Sequence, residues 1–311
     1  MNEETKRAVI AGNAVGSTAD KVVKQMFGHK AILAPVLQFT VPEFRNYSIE
    51  EVIRSIDAES ISDNIPVEDI PPEVIDRGTE MSSYTEKTIF YDKHFIVKNP
   101  KLSNDIVVML HIDFEVQNNY KPSSPSYAII QRAVYYAARE LSSQLGDLKD
   151  TTNYGDLEKV YSIWVCNNVS DPKLKNTVSL YSIQKEDIIG NTNEPASEHD
   201  LMSVIIIRRG TGKQQSNEKI FDYLTSVFEG DIKTLEKYTD VDSEPEIRKE
   251  VKNMSGVGES LVIDAMMDNL QHQIEIGLIK DVDTATKAYP ELEPVDIQSV
   301  FDSFLKKGDN D

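Results

Sequence analysis

Cysteine is almost missing from this 311-residue chain: Cys166 stands alone, so no internal disulfide can form and no thiolate zinc site can be built. Histidine is sparse too, and His29, His94, His111, His199 and His272 include no His-x-x-x-His pair. No apolar run approaches the roughly 18–20 residues that span a bilayer. The opening MNEETKRAVIAGNAVG lacks the apolar segment of a secretory signal. These absences predict a reducing cytoplasm as the location and no membrane partner. With 14 glycines and 13 prolines, a collagenous or low-complexity chain is excluded. Positive charge is also in deficit, 33 Lys and Arg against 52 Asp and Glu, a net −19. Nonspecific coating of nucleic acid needs clustered cations, so the overall charge argues against it.

What is present suits a folded core: 40% apolar and 27% charged residues. The negative charge is uneven. From Gln215 onward there are 22 acidic and 10 basic residues, −12 of the total, which leaves the first two thirds nearer neutral and able to present a local basic groove. The chain accordingly divides into an N-terminal arm (1–17), a main domain (18–214) and an acidic helical region (215–311). Helices are expected there at 218–239, 257–279 and 291–307, and they offer a surface for homo-oligomerisation.

Within the main domain, Val22, Val23, Met26 and Phe27 have helical spacing and Gly28 ends that helix. Residues 32–39 read as a second helix broken by Pro35. Ser48 followed by Glu51 is a capping-box pattern. Residues 57–82 read as a polar excursion. Strands are expected at 87–90, 94–97, 106–117, 160–165, 177–183 and 204–207, with a turn at 99–105 and a helix over 125–144. Strands bracketing helices predict an α/β core. Cys166 and Trp164 are expected in that core, Tyr135 and Tyr136 as packing residues, and Arg208–Lys213 as a basic turn.

The run His111–Gln117 carries the chemistry. Alternation along a strand sets Asp113, Glu115 and Gln117 on one face. Two carboxylates and an amide beside an apolar strand need compensation, and a hard cation bound by oxygen supplies it. A half-solvated strand with ordinary outward polar residues has the same alternation. Asp92 lies on the preceding β segment, and Glu86 and Asp20 are further acidic candidates. Arg132 and Arg139, seven residues apart, share a helix face and could meet phosphates, as could Lys98, Lys101 and Lys121 beside the sheet.

The ordered series Gly78-Thr79, Glu86, Tyr91-Asp92, Phe95, Pro100 and Ile112-x-x-Glu115-x-Gln117 resembles the PD-(D/E)XK nuclease family transposases, relatives of the recombination-promoting nucleases. The likeness continues through Pro125-x-Tyr127, Arg132, Tyr135-Tyr136, Arg139, Ser142-Ser143-Gln144, Tyr154, Lys159–Cys166 and Tyr181-Ser182-Ile183. Asp20, Lys24 and Phe27 are similar to the group's N-terminal helix. The likeness spans about residues 18–210. It implies a restriction-endonuclease-like core, a small mixed β-sheet flanked by helices. It also implies a Mg²⁺-dependent DNA endonuclease (Mn²⁺ as a substitute) tied to mobile-element transposition or recombination. Asp92 and Glu115 would be the metal ligands, and Gln117 would stand where many such nucleases have lysine. Tyr91 in place of proline, and the charge at Asp113, depart from the pattern. A catalytically inactive nuclease-fold scaffold that binds DNA or protein is the alternative.

Overall fold

The computed structural model describes residues 22, 25–61, 65–66, 90–91, 93–98, 105–113, 127–147, 153–166, 169, 171–210, 218–243, 246–254, 266–267, 270–290 and 292–308. Strands β1 (Ile65–Pro66) and β2 (Phe90–Tyr91) pair with each other. The remaining strands are β3 (Lys93–Lys98), β4 (Asp105–Asp113), β5 (Lys159–Cys166), β6 (Thr177–Ser182) and β7 (Met202–Arg208). They form one mixed sheet in the order β3-β4-β5-β7-β6. The central β4, β5 and β7 are parallel, and the outer β3 and β6 are antiparallel to their neighbours. The expected α/β architecture, a small mixed sheet flanked by helices, is therefore present.

The central position explains the sequence of β5 and β7. From Val160 to Cys166 and from Ser203 to Arg208 every residue is buried, as near-continuous apolar runs of inner parallel strands require. Alternate residues feed opposite layers. Tyr161, Ile163, Val165, Ile205 and Ile207 join the larger cluster, while Val160, Trp164, Cys166, Val204 and Ile206 join a smaller one.

The larger layer is built by α1 (Lys30–Thr40), α2 (Ile49–Ser55), α4 (Lys219–Glu229), α5 (Ile232–Leu235) and α6 (Ile247–Met254). The smaller lies under α3 (Ile129–Asp147). Leu33 and Leu37 of α1, Phe95 of β3, Phe228 of α4 and Met254 of α6 all belong to the larger cluster, so its packing crosses the charge boundary near residue 215. Each such side chain contributes about 1.5–3 kcal/mol on burial. A third cluster joins Leu270 and Ile274 to α7 (Val282–Ala288) and α8 (Pro294–Gly308).

Three local expectations need correction. Pro35 does not break its helix, and α1 runs unbroken through it. Proline has no N–H for the carbonyl four residues back, that of Ala31. The Thr239 hydroxyl donates to that oxygen at 2.7 Å, and Tyr223 Oη donates to the next carbonyl, Ile32, at 2.5 Å. The helix expected from 125 starts only at Ile129, because Tyr127 and Ala128 are not helical; the Gln131 side chain accepts from the Ala128 N–H at 3.1 Å. The helix expected over 218–239 is two, separated by Gly230 at φ 69°, a left-handed conformation that glycine adopts without strain.

Two other expectations stand. Ser48 and Glu51 form the reciprocal capping box that opens α2. Met26 ends the helical turn before α1, and the Gly28 N–H donates to Gln25 O at 2.8 Å. A Cβ on Gly28 would lie 2.9 Å from that same oxygen and 3.3 Å from Nζ of the buried Lys93, so a side chain there would displace one of them. Among the described residues, no helix is long and apolar enough to cross a membrane.

Candidate functional site

The segment β4–α3–β5 is a parallel crossover, so α3 begins near the carboxyl end of β4 and ends near the start of β5. Its far end is fastened there: Gln144 Nε2 donates to Glu158 O at 3.1 Å, and the Glu158 N–H donates to Gln144 Oε1 at 2.8 Å. His94 on β3 and Glu140 on α3 meet at 3.1 Å.

Near the start of α3, Arg132 is held in an aromatic setting. Its Nε donates to Tyr136 Oη at 3.0 Å, and its guanidinium carbon lies 5.2 Å from the Tyr136 ring centre and 5.5 Å from that of Trp164. The two rings are 5.6 Å apart, and Trp164 Nε1 donates to Ser162 Oγ at 2.8 Å. Trp164 is the register partner of His111 on β4, and Cys166 that of Asp113. A guanidinium is thereby carried over the sheet beside the half of β4 that leads to Glu115. The helix start adds the partial positive charge of its backbone N–H groups.

Arg132 and Arg139 thus lie on one helix, both partly buried rather than on a fully solvated face. Asp113 closes β4. Asp20, Glu86, Asp92, Glu115 and Gln117 lie outside the described residues, as do Lys101 and Lys121. The neighbours of Asp92 are described: Tyr91 ends β2, and Lys93 opens β3 opposite Leu110. Among the described residues, no group of three or more His, Cys, Asp or Glu side chains could hold a metal. Trp164 and Cys166 are buried as expected. Of the tyrosine pair, Tyr136 is buried and Tyr135 is exposed.

Arg208 does not lie in the expected basic turn. It is the last residue of β7, not part of a turn, and it is buried. Its Nη1 donates to Ser179 Oγ at 2.9 Å and Thr177 Oγ1 at 3.4 Å, and its Nη2 to Tyr181 Oη at 3.2 Å. The alternating hydroxyls of Thr177-x-Ser179-x-Tyr181 were the available signal for a buried cation. Arg209 turns to the opposite layer, 4.3 Å from the Phe228 ring centre, where burial pushes its pKa down to about 10 against the opposing pull of Glu229. Residues 211–213 of the expected basic turn lie outside the described residues.

A second polar group sits at the opposite, amino end of the parallel strands. Tyr161 Oη donates to Glu43 Oε2 at 2.7 Å, and Lys159 bridges Asp200 at 2.7 Å and Glu43 at 3.4 Å. Burial first, then the Glu43 charge, pushes the Tyr161 hydroxyl pKa well up, so it remains a donor. Each member has a partner, and the group ties the Pro42–Phe44 turn to β5 and the start of β7. No protein-family model, curated protein or solved structure matches this chain.

Proposed function

We propose that the chain is a Mg²⁺-dependent DNA endonuclease acting in mobile-element recombination, with Asp92 and Glu115 as metal ligands and Gln117 orienting water or phosphate. The observation that carries this reading is the seating of Arg132 against Tyr136 and Trp164, beside the end of β4 that leads into the acidic motif. The donor set suits a hard cation, since both candidate ligands offer oxygen only. In sequence, Asp92 directly precedes Lys93, which opens β3, and Glu115 follows Asp113, which closes β4, by two residues. A bound Mg²⁺ supplies Lewis acidity to a phosphodiester and lowers the pKa of a water. Gln117 can orient that water but brings no charge, and Arg132 offers positive charge nearby.

The test is cleavage of supercoiled and single-stranded DNA with Mg²⁺ or Mn²⁺, wild type beside Glu115→Ala. Metal-dependent nicking that disappears in the variant is the expected result. Equal activity in both would refute the site assignment. No cleavage by a folded wild type would favour the inactive scaffold, which Gln117 and the net −19 charge also suit.

A further inference from the structure

We infer that β6 is a self-association edge, pairing antiparallel with β6 of a second copy of this chain to make one continuous ten-stranded sheet. β6 is the outermost strand, and among the described residues only β7 pairs with it. Natural sheets guard such edges with charge, proline or bulges. Here the segment Thr177–Gln184 (TVSLYSIQ) contains no charge and no proline. It also exposes apolar surface, with Val178 39%, Leu180 40% and Ile183 43% accessible, and the following loop holds Ile188 and Ile189 at 92% and 94%. One side of the strand is fixed, because Arg208 binds the hydroxyls of Thr177, Ser179 and Tyr181. Val178 and Leu180, on the alternate positions, are left to solvent.

Charge selects a second copy as the occupant. Two chains of −19 repel each other over most of their surface, and a neutral strand is a place where they need not. The flanks go further and attract. The turn before β6 carries Lys173 and Lys175 against Asp171, and the loop after it carries Glu186, Asp187 and Glu194 against Lys185. Lys185 is already held by Asp187 at 3.0 Å and Glu194 at 2.9 Å, which leaves a net negative loop. An antiparallel two-fold pairing centred on Leu180, which sets each Leu180 opposite its counterpart, lays the basic end of each copy against the acidic end of the other. Such an interface is self-complementary, as two-fold symmetry demands.

The test is sedimentation of the full chain at about 100 µM, well above micromolar affinities. The wild type is expected to be a dimer. Leu180→Lys and Leu180→Glu should each weaken dimerisation by at least about tenfold, since like charges then meet across the strands. An equimolar mixture of the two should restore it. Val178→Lys serves as a second position on the same exposed side, and circular dichroism verifies folding of every variant. A monomeric wild type overturns the inference and leaves the edge to an extended peptide. Dimers indifferent to both positions, or a mixture that stays monomeric, overturn it as well.

Discussion

The two faces of the sheet are covered in opposite ways. On one, among the described residues, helices from both ends of the chain bury a cluster of thirty, almost all hydrocarbon or aromatic. On the other, one helix covers ten of the described residues, and its boundary includes Arg132, the His94–Glu140 contact and the Trp164–Ser162 hydrogen bond. Among the described residues, one face carries most of the apolar burial. The other needs less, and can place a cation against aromatic rings at the end of the strands. Stability and candidate chemistry are thus largely separated by one layer of β-structure.

The largest effect that would sharpen this contrast is Phe228→Ala on the crowded face. It should cost about 3–5 kcal/mol in denaturant unfolding. A loss under about 1 kcal/mol would mean that the larger cluster is not the main source of stability. Next is Thr239→Val, expected to cost about 1–3 kcal/mol because the Ala31 carbonyl loses its donor. Adding Pro35→Ala returns a backbone N–H to the helix and should recover most of that loss; strict additivity of the two changes would break the account. On the other face, Arg132→Ala should leave folding nearly intact and lower DNA affinity by about 1–3 kcal/mol, with the salt slope reduced by about 1. Unchanged binding and slope would detach Arg132 from any phosphate.

The smallest effects concern pH. The Asp231 carboxyl caps α5, and the hydrogen bond from Thr234 holds its pKa below the ordinary 3.8. Its stabilisation is therefore complete above about pH 4 and fades as pH falls through the lowered value. Asp231→Ala should cost about 1 kcal/mol at neutral pH, a difference that shrinks in acid melts. Tyr238 acts at the other extreme. Burial, aided by its hydrogen bond to Asp222, raises its hydroxyl from the ordinary 10.0 to about 12. Its contribution is full below pH 10 and is lost as pH rises through 12. In Tyr238→Phe that alkaline loss should be absent from thermal melts.

Much of the sheet is legible in the sequence, because inner parallel strands must be apolar on both sides and runs such as VIIIR and VYSIWVC admit little else. Capping chemistry is equally local, and Ser48 with Glu51 can be read within four residues. Pro35 is different: what rescues its helix is a hydroxyl at residue 239, which no window around the proline contains. Arg208 misleads for a related reason. A pair of arginines before Gly-x-Gly reads as a solvated turn until the hydroxyls of a neighbouring strand are set beside the first. Of the candidate site, the sequence alone marks the acidic positions. The aromatic seat of Arg132 joins residues from a helix and a strand, and only the register of β4 and β5 shows which end of the motif strand it adjoins.

The bond between Thr239 and Ala31 also orders events in time. The two residues are 208 positions apart. At about 5–20 residues per second, a ribosome needs about 10–40 seconds to travel from one to the other. Throughout that interval the nascent helix has a proline where a donor should be, and the Thr239 hydroxyl that supplies one has yet to be synthesised. The larger core also waits for Phe228 and Met254, so the amino-terminal helix remains a client awaiting its partner until the last quarter of the chain emerges.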